Sequence, residues 1–382
     1  MRCRMTDFLA LPLVTLLLAG CTAPPGQPEI TSSDQELPQS DVRPAGDPMV
    51  SVGTILDAPE DYARVRIDTD AYPVPSYAQY LEGVRICLDP GHGGQPQKWG
   101  YKRGPTGVRE AEINLRVAKY LRDLLEYAGA EVLLTRQEDV DLSVKDRAEK
   151  ANAWGADIFI SCHHNAIDNK PEVNRTTVWY EGDIDRYPAC LDLARYICLE
   201  LHDGLGLEQL TGIPLKSDSL MKGFGVLRNA KVTAALTESS FFSNPEEEQR
   251  LRDPEYNLQE AYSLFLGLAK YAFTGLPRAT LVEPADARLA GNSRIVQFKL
   301  DDGLRSRKSW GSDQQMILTD SVAVRVDGQP VDFEFDGGKY ELTAHLPETI
   351  EDGTHVVDVQ FQNMHKNSVL NPRFEIVVGD GE

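Results

Sequence analysis

The sequence predicts an α/β domain with a largely parallel sheet flanked by helices, followed by a C-terminal all-β domain of the immunoglobulin-like sandwich class. The first prediction rests on residues 84–277, where short apolar runs alternate with amphipathic stretches of helical period. The second rests on residues 281–379, where polar and apolar residues alternate in short runs separated by turns such as Asp327-Gly328. The chain is therefore expected to contain two folded domains of different class.

Each element of the first domain follows from its local pattern. The helix expected over residues 110–128 is the clearest, because its apolar residues recur at helical spacing on one stripe. The other helices are expected over residues 143–154, 188–204 and 254–274, and the strands over residues 84–89, 131–135, 157–162, 176–181 and 233–238. In the second domain, strands are expected over residues 295–300, 321–326, 333–335, 340–343, 355–361 and 374–378.

The first 48 residues are not expected to fold into a domain. Arg2 and Arg4 precede an apolar run over residues 8–19, which is shorter than the about 20 residues of an ordinary membrane span. The run ends in Leu18-Ala-Gly-Cys21, which resembles the lipobox of bacterial lipoproteins. We expect residues 1–20 to be a lipoprotein signal peptide and Cys21 to be lipidated, although an uncleaved anchor is the alternative.

The next two segments connect this anchor to the first domain. Residues 21–48 are rich in Pro, Ser, Gln and acidic residues without an apolar period, which is typical of a disordered linker. Residues 49–83 contain short β-like runs and are expected to pack on the domain that follows. The expected location is the bacterial cell envelope, on the periplasm-facing side of the outer membrane.

Composition limits the partners of the chain. With 39 basic and 59 acidic residues its formal net charge is −20, and nucleic acid is excluded because phosphate contacts require a basic surface. Four cysteines follow Cys21. Cys190 and Cys198 lie too far apart on one expected helix for a disulfide, whereas Cys87 and Cys162 end neighbouring strands and either approach each other or remain free thiols.

Polar residues that end apolar runs indicate where the chemistry lies. His92, His163 and Glu238 each follow or end a predicted strand, and the carboxyl ends of parallel strands meet at one edge of a sheet. Glu110 lies on the inward stripe of the first helix, whereas Glu112 is expected to point away. Two imidazoles and two carboxylates at one edge suggest a metal site.

Each of these residues also has a structural alternative. For His92, which lies in a glycine-rich turn, the alternative is hydrogen bonding to loop carbonyls. For Glu110 it is neutralisation of the helix N-terminus. For Glu238 it is an ion pair with Arg228 or Arg136. Because adjacent strand residues face opposite ways, only one of His163 and His164 is expected to enter the site.

The chain resembles the type-3 family of zinc-dependent N-acetylmuramoyl-L-alanine amidases from about Val84 to Phe273. The resemblance rests on six short motifs that occur in the family's order. They are Asp89-Pro-Gly-His-Gly-Gly, Glu110-x-x-x-Asn-Leu, Leu134-Thr-Arg136, Ser161-x-His-x-Asn-Ala166, Val226-Leu-Arg228 and Glu238-x-x-Phe-x-Ser-Asn244. The sequence departs from the family at Cys162 and His164, where small or apolar residues are usual, and at Ser240, where Gly or Ala is usual.

The resemblance implies a function for each motif residue. It implies that His92, Glu110 and His163 bind Zn²⁺, that Glu238 is the general base and acid, and that Arg228 assists substrate or transition-state charge. The implied activity is hydrolysis of the amide bond between N-acetylmuramic acid and L-alanine in peptidoglycan. His163 is then the metal ligand, and His164 is left as a supporting or surface residue.

Two alternatives to this activity remain at the level of sequence. The same ligands would serve a zinc peptidase of another cell-wall specificity, and a catalytically inactive wall-binding lipoprotein is the third hypothesis. The C-terminal domain carries no convincing catalytic residues and is expected to act as a spacer or stabilising module, with wall or protein binding as the alternative.

Control of the activity is also expected to be simple. Some relatives carry a long helix after the Ser-x-His-x-Asn-Ala motif that plugs the zinc site until an activator withdraws it. Here only residues 167–175 separate that motif from the next apolar strand, which leaves no room for such a helix. We therefore expect residues 49–277 to hydrolyse peptidoglycan without an activator protein.

Overall fold

The computed structural model describes residues 71–94, 102–181, 187–207, 215–217, 223–289, 293–311 and 314–379. The predicted signal peptide, the lipidated Cys21, the linker over residues 21–48 and residues 49–70 of the next segment lie outside the described residues. No helix within the described ranges has the length and apolar character needed to cross a membrane.

A six-stranded sheet forms the centre of the first domain. Its spatial order is β2-β1-β3-β6-β4-β5. The pairs β2·β1, β1·β3 and β3·β6 are parallel, β4 runs antiparallel to β6, and β5 is parallel to β4. The sheet is therefore mixed, with four neighbouring strands parallel as predicted. The strands are β1 (Arg85–Pro90), β2 (Glu131–Leu134), β3 (Ile158–Asn165), β4 (Thr177–Tyr180), β5 (Leu215–Lys216) and β6 (Thr233–Phe241).

Helices cover both faces of this sheet. One core contains apolar side chains of α1, α3 and α6, and the other contains those of α2 and α4. The bounds are α1 (Glu110–Tyr127), α2 (Val144–Trp154), α3 (Pro188–Leu205), α4 (Gly225–Asn229), α5 (Pro245–Arg252) and α6 (Pro254–Phe273). The four predicted helices are present. The sequence pattern missed α4 because it has only five residues, and α5 because it is mostly polar.

The four described cysteines are buried free thiols. Cys87 faces the core under α2 and α4, whereas Cys162 faces the core under α1, α3 and α6. Cys162 is also paired with Pro90, three residues beyond Cys87 on β1. The two thiols therefore lie on opposite faces of the sheet, and the disulfide that the sequence left open does not form. Burial raises the pKa of Cys87 to about 12, as it does that of Cys190 and Cys198.

The second domain consists of two antiparallel sheets that share one hydrophobic core. The orders are β11-β10-β14-β15-β8, in which β8 pairs in parallel with β15, and β12-β13-β9-β7. The immunoglobulin-like class remains a prediction. The strands are β7 (Arg278–Glu283), β8 (Arg288–Leu289), β9 (Ile295–Asp301), β10 (Ala323–Val326), β11 (Gln329–Pro330), β12 (Phe333–Asp336), β13 (Glu341–His345), β14 (Gly353–Gln360) and β15 (Arg373–Val378).

The second domain, called the β domain below, packs against the amino-terminal edge of the first sheet. Asn371 accepts a hydrogen bond from the amide of Thr233, the first residue of β6, and donates one to the carbonyl of Ala156, just before β3. Arg278 forms an ion pair with Asp157 at 2.8 Å on the same edge. Leu370 belongs to the core of the first domain. The opposite, carboxyl-terminal edge carries the predicted site residues.

Candidate functional site

The loop after β1 carries His92 and is fixed by a buried carboxylate at the end of that strand. Asp89 accepts hydrogen bonds from Thr135 (2.6 Å), Arg147 (2.8 Å) and Ser161 (2.7 Å). Thr135 and Ser161 belong to two of the sequence motifs, and within those motifs these two residues hold Asp89. The backbone of His92 is left-handed, with φ of 57°, a conformation that a non-glycine residue adopts only when its surroundings impose it.

Two buried arginines hold this loop by its carbonyl groups. Arg136 donates to the carbonyls of Pro90 (2.8 Å), Gly91 (2.9 Å) and Ala111 (2.7 Å), which ties the loop to the start of α1. Arg147 donates to the carbonyls of Pro90 and His92. Burial and the positive charge of Arg147 lower the pKa of Arg136 to about 10. The guanidinium groups therefore determine where the imidazole of His92 lies.

Glu110 is the first residue of α1 and is 1% exposed, so its carboxylate is fully inside the protein. Its Oε1 lies 3.0 Å from Nδ1 of His163 and accepts the backbone N–H of His164 at 3.2 Å. Its Oε2 is buried without a hydrogen-bond partner, and lies 3.1 Å from Nε2 of His92. The carboxylate of Glu110 therefore contacts both imidazoles and a backbone amide in addition to starting the helix.

His163 lies near the carboxyl end of β3 and packs on Gly91. A Cβ atom at position 91 would lie 2.2 Å from Cε1 and 2.3 Å from Nε2 of His163, so only glycine leaves room for the ring. The rings of His92 and His163 meet edge to face with centroids 4.8 Å apart. One potential ligand atom from each of His92, Glu110 and His163 lies within 4.8 Å of the other two. The three residues that the sequence predicted as ligands are thus brought together.

The protonation states of these groups suit a cation. Burial alone would raise the pKa of Glu110, but its interactions with the His163 and His92 rings outweigh this effect and hold the pKa well below its usual range. Burial lowers the pKa of His163 despite the opposing effect of Glu110. A carboxylate and a neutral imidazole are the forms in which these side chains bind metals.

Glu238 lies on β6 directly beside His163 of β3. Its side chain is 9% exposed and its Oε2 has no hydrogen-bond partner. Burial, and then the negative charge of Glu110, raise the pKa of Glu238 well above its ordinary value, and Lys102 opposes this rise. The sequence placed Glu238 at the end of its strand, whereas β6 continues to Phe241.

The alternative pairing of Glu238 with Arg136 is wrong, because all hydrogen bonds described for Arg136 go to backbone carbonyls. Arg228 lies exposed on α4, with its guanidinium near the backbone of Gly223 and Gly225. Its assistance to substrate charge remains a prediction.

His164 is a buried residue rather than a surface one. Its ring is 1% exposed and lies between Asn114 of α1 and Glu260 of α6. Burial disfavours its charged form, but Glu260 outweighs this and raises the pKa of His164. Sequence reasoning did not connect His164 with Glu260, because the two residues are 96 positions apart. The sequence did contain one sign of a special role for His164, namely a polar histidine at a position where the family carries small or apolar residues.

Glu112, which the helix pattern placed away from the site, is buried as well. Arg109 binds Glu112 at 2.9 Å and Asp139 at 2.8 Å, and Asp139 also accepts the amide of Gly94. This ion cluster ties the glycine loop to the start of α1. Glu112 is therefore buried here because Arg109, the residue just before α1, supplies the opposite charge and is itself bound by Asp139 of a neighbouring loop.

Comparison with known proteins decides the family. The family model described as N-acetylmuramoyl-L-alanine amidase matches residues 86–270. The germination-specific N-acetylmuramoyl-L-alanine amidase of Bacillus subtilis (strain 168) is 30% identical over 207 residues, which are 50% of this chain and 81% of that protein. This chain belongs to the N-acetylmuramoyl-L-alanine amidase family.

Two further comparisons concern the same half of the chain. A probable cell wall amidase, LytH of Staphylococcus epidermidis, is 29% identical over 50% of this chain and 59% of its own length. The crystal structure of the N-acetylmuramoyl-L-alanine amidase from Clostridium difficile 630 has 27% sequence identity and a TM-score of 0.45. It covers 50% of this chain and 97% of its own. The family model, over residues 86–270, thus lies within the first domain of this member of the amidase family.

Proposed function

We propose that this amidase-family member hydrolyses the amide bond between N-acetylmuramic acid and L-alanine in peptidoglycan with a zinc ion held by His92, Glu110 and His163. The observation that carries the proposal is the convergence of these three side chains beside Glu238 at one edge of the sheet. Family membership supports peptidoglycan as the substrate, and the geometry supports a metal-assisted hydrolysis.

The residues present fit a zinc ion. Two imidazoles and one carboxylate are a known ligand set of catalytic zinc sites, which keep one further position open. The buried Oε2 of Glu110 has no hydrogen-bond partner, since Nζ of Lys102 is 3.8 Å away, and this is costly for a carboxylate oxygen unless a cation binds closer. The backbone of Gly91 makes room for the His163 ring. Each observation is explained by a cation between these side chains.

Zinc, when bound, supplies a Lewis acid for the scissile carbonyl and lowers the pKa of water toward about 7. Glu238 would accept the proton of the attacking water at its carboxylate and transfer it to the nitrogen of the departing L-alanine. Burial raises the pKa of Glu238, which strengthens it as a base relative to an exposed carboxylate. Arg228 is proposed to interact with substrate or transition-state charge.

The location and control of the activity form part of the proposal. We propose that lipidated Cys21 tethers the chain to the periplasm-facing side of the outer membrane, and that restraint comes from tethering and substrate access. Residues 166–176, which connect β3 and β4, contain no helix. This supports activity without an activator protein.

Product analysis tests the proposal. The detergent-solubilised full chain is incubated with purified peptidoglycan, and the products are separated and sequenced by mass spectrometry. Free stem peptides that begin with L-alanine are expected. Cleavage within the stem would indicate another cell-wall peptidase, and an absence of products would indicate a wall-binding protein.

Metal removal tests the zinc assignment in the same assay. A chelator should abolish hydrolysis, and zinc added back in excess of chelator should restore it, because the chemistry at the carbonyl depends on the metal. Metal content is measured in parallel by mass spectrometry. Full activity in a sample shown to contain no zinc would contradict the assignment.

A further inference from the structure

His164 lies directly behind the site in a place where water cannot reach it. Its Nδ1 is 2.9 Å from Oδ1 of Asn114, and its Nε2 is 3.0 Å from Oε2 of Glu260. The side chains of His164 and Glu260 are 0% and 1% exposed. Each polar atom of the ring therefore depends on one protein partner.

The orientation of the Asn114 amide follows from its neighbours. Its Nδ2 lies 3.3 Å from the carbonyl of Gly91 and 3.4 Å from Oε1 of Glu110, and both of these are acceptors. The amide must therefore present its NH₂ group to them and its oxygen to His164. Nδ1 of His164 must then carry a hydrogen.

Glu260 determines the other end of the ring. A lone pair on Nε2 of His164 would face the Oε2 of Glu260 and be repelled by a carboxylate, so a proton must lie on this contact as well. The Glu260 contact holds the ring in place, and the ring in turn prevents the Asn114 amide from reversing. A reversed amide would point its oxygen at Glu110 and Gly91.

The consequence reaches Glu110. Its Oε1 receives contacts from His163, from the backbone N–H of His164 and from Asn114. Its Oε2 keeps no hydrogen bond and remains next to His92. We propose that the His164–Glu260 pair, acting through Asn114, positions Glu110 so that Oε2 faces the metal. This inference rests on the proposed zinc function.

Stability alone does not account for the pair. Removal of two charged groups from water is costly, and apolar residues of similar size often serve a core equally well or better. Oε1 of Glu260 is also buried without a hydrogen-bond partner. Glu260 lies on α6 and Asn114 on α1, two helices whose apolar side chains share one core, so an apolar pair would suit the packing there.

The test replaces both members of the pair. In H164L/E260L neither charge is left alone, so the melting temperature should stay close to that of the wild type. The zinc Kd, measured by competition with a chromophoric chelator, should rise about 10- to 100-fold, as expected when groups that orient a ligand are lost. The kcat should fall while KM stays unchanged. N114A should weaken zinc binding in the wild type but less so in H164L/E260L.

A matched control and a second variant make the outcome decisive. H355L/D327L removes another histidine–carboxylate pair, with a 2.6 Å contact, in the β domain and should leave the zinc Kd within about twofold of the wild type. A zinc Kd of H164L/E260L within that same range would overturn the inference.

If H164L/E260L does not fold, E260Q decides, because it keeps the side-chain volume and one hydrogen bond to His164. Its zinc Kd should rise at least about fivefold, and a Kd within about twofold of the wild type overturns the inference. Wild-type protein that binds no zinc would instead refute the proposed function, and that result is seen before any variant is compared.

Discussion

Asn371 of the β domain satisfies both a backbone amide and a backbone carbonyl at the amino-terminal edge of the first sheet. At the carboxyl-terminal edge, Oε2 of Glu110 and Oε2 of Glu238 are buried without hydrogen-bond partners. Both edges contain buried polar groups, but at the second edge the two unsatisfied oxygens belong to carboxylates that lie beside His92 and His163. Since an unpaired buried carboxylate is costly, a fold retains it where a ligand or a reaction uses it.

Charged residues within the site also have two different roles: some stabilise the loop after β1, and others are available for binding and catalysis. The guanidinium groups of Arg136 and Arg147 donate hydrogen bonds to backbone carbonyls and to Asp89, so these arginines stabilise the loop rather than bind a ligand. Glu110 and Glu238 instead each have a carboxylate oxygen without a hydrogen-bond partner. Changes at the carboxyl-terminal edge should therefore alter chemistry, and changes at the amino-terminal edge should alter stability.

The largest effect is expected for Glu238→Gln. The amide keeps the size of the side chain but cannot accept the proton of water, so kcat should fall at least about a hundredfold. Zinc content, measured by mass spectrometry, should stay near the wild-type value. A collapse of zinc content would show that Glu238 is a ligand, and the contrast between Glu238 and the metal-binding residues would be wrong.

The next effect is expected for Gly91→Ala. The new Cβ would lie 2.2 to 2.6 Å from three atoms of the His163 ring, so this ring must move out of the ligand cluster. Zinc affinity should fall at least about tenfold, as measured by chelator competition.

The control for Gly91→Ala comes from the β domain. At Gly337 the closest atom to a new Cβ is Cε1 of Phe335 at 3.8 Å, an ordinary contact. Gly337→Ala should therefore leave zinc affinity unchanged. Equal affinities of the Gly91→Ala variant and the wild type would contradict the close packing of His163 on the loop.

A smaller effect, on stability alone, is expected for Asn371→Ala. The change leaves the amide of Thr233 and the carbonyl of Ala156 without their partner, at about 1 to 3 kcal/mol for each group that stays buried. The free energy of unfolding, measured with urea, should decrease while zinc affinity and kcat per folded molecule stay unchanged.

The control for Asn371→Ala measures the backbone strain that alanine causes at a left-handed φ. Asn371 has a left-handed φ of 50°, in which alanine is strained. Asn169 has a φ of 59° and is exposed, so Asn169→Ala measures that strain alone. Equal losses of stability in the two variants would show that the hydrogen bonds of Asn371 contribute nothing measurable.

The smallest effect is expected for His355→Ala in the β domain. A hydrogen bond to Asp327 raises the pKa of His355, so its charged form is favoured in the folded state. The contribution to stability should be complete below the unfolded pKa of about 6.5 and disappear as the pH rises through the higher folded pKa. Asp327 is half exposed, so solvent screens the pair and the loss at pH 5.5 should be at most about 1 kcal/mol.

Unfolding measured at pH 5.5 and pH 9 tests this prediction. A loss that grows with pH would contradict the sign, and a loss of zinc binding would contradict the separation of the two regions.

The interface also bears on the expected activity of residues 49–277. This fragment lacks Leu370, which belongs to the core of the first domain, and Asn371. Its independence from an activator remains a prediction, but the fragment is expected to be less stable than the full chain. The full chain is therefore the better sample for that experiment.

Much of the architecture could be predicted from local pattern. The helices over residues 110–128 and 188–204 and the strand over residues 131–135 agree with α1, α3 and β2 to within one residue at each end. Apolar period and turn residues determine such elements. The short helix α4 and the two-residue strand β5 could not be predicted, because elements this short do not show a hydrophobic period. Such elements form only where the rest of the fold supports them.

The site could be predicted only in part, for a physical reason. Motifs next to strand ends identified His92, His163 and Glu238, since a parallel arrangement brings strand ends together, and the inward stripe of the first helix identified Glu110. Glu112 was placed away from the interior, because helical period says nothing about the Asp139 loop that covers the Arg109–Glu112 pair. Long-range partners of a charge are a property of the fold.

The sequence by itself determined the order of strands and helices, the change to alternating β strands after residue 277, and the residue types available to bind a metal. These depend on interactions between residues close in the chain. Only the tertiary structure decided that Cys87 and Cys162 face opposite sides of the sheet, that His164 contacts Glu260, and that Asn371 closes the amino-terminal edge. Hydrogen bonds and packing between distant residues depend on distances that exist only once the chain has folded.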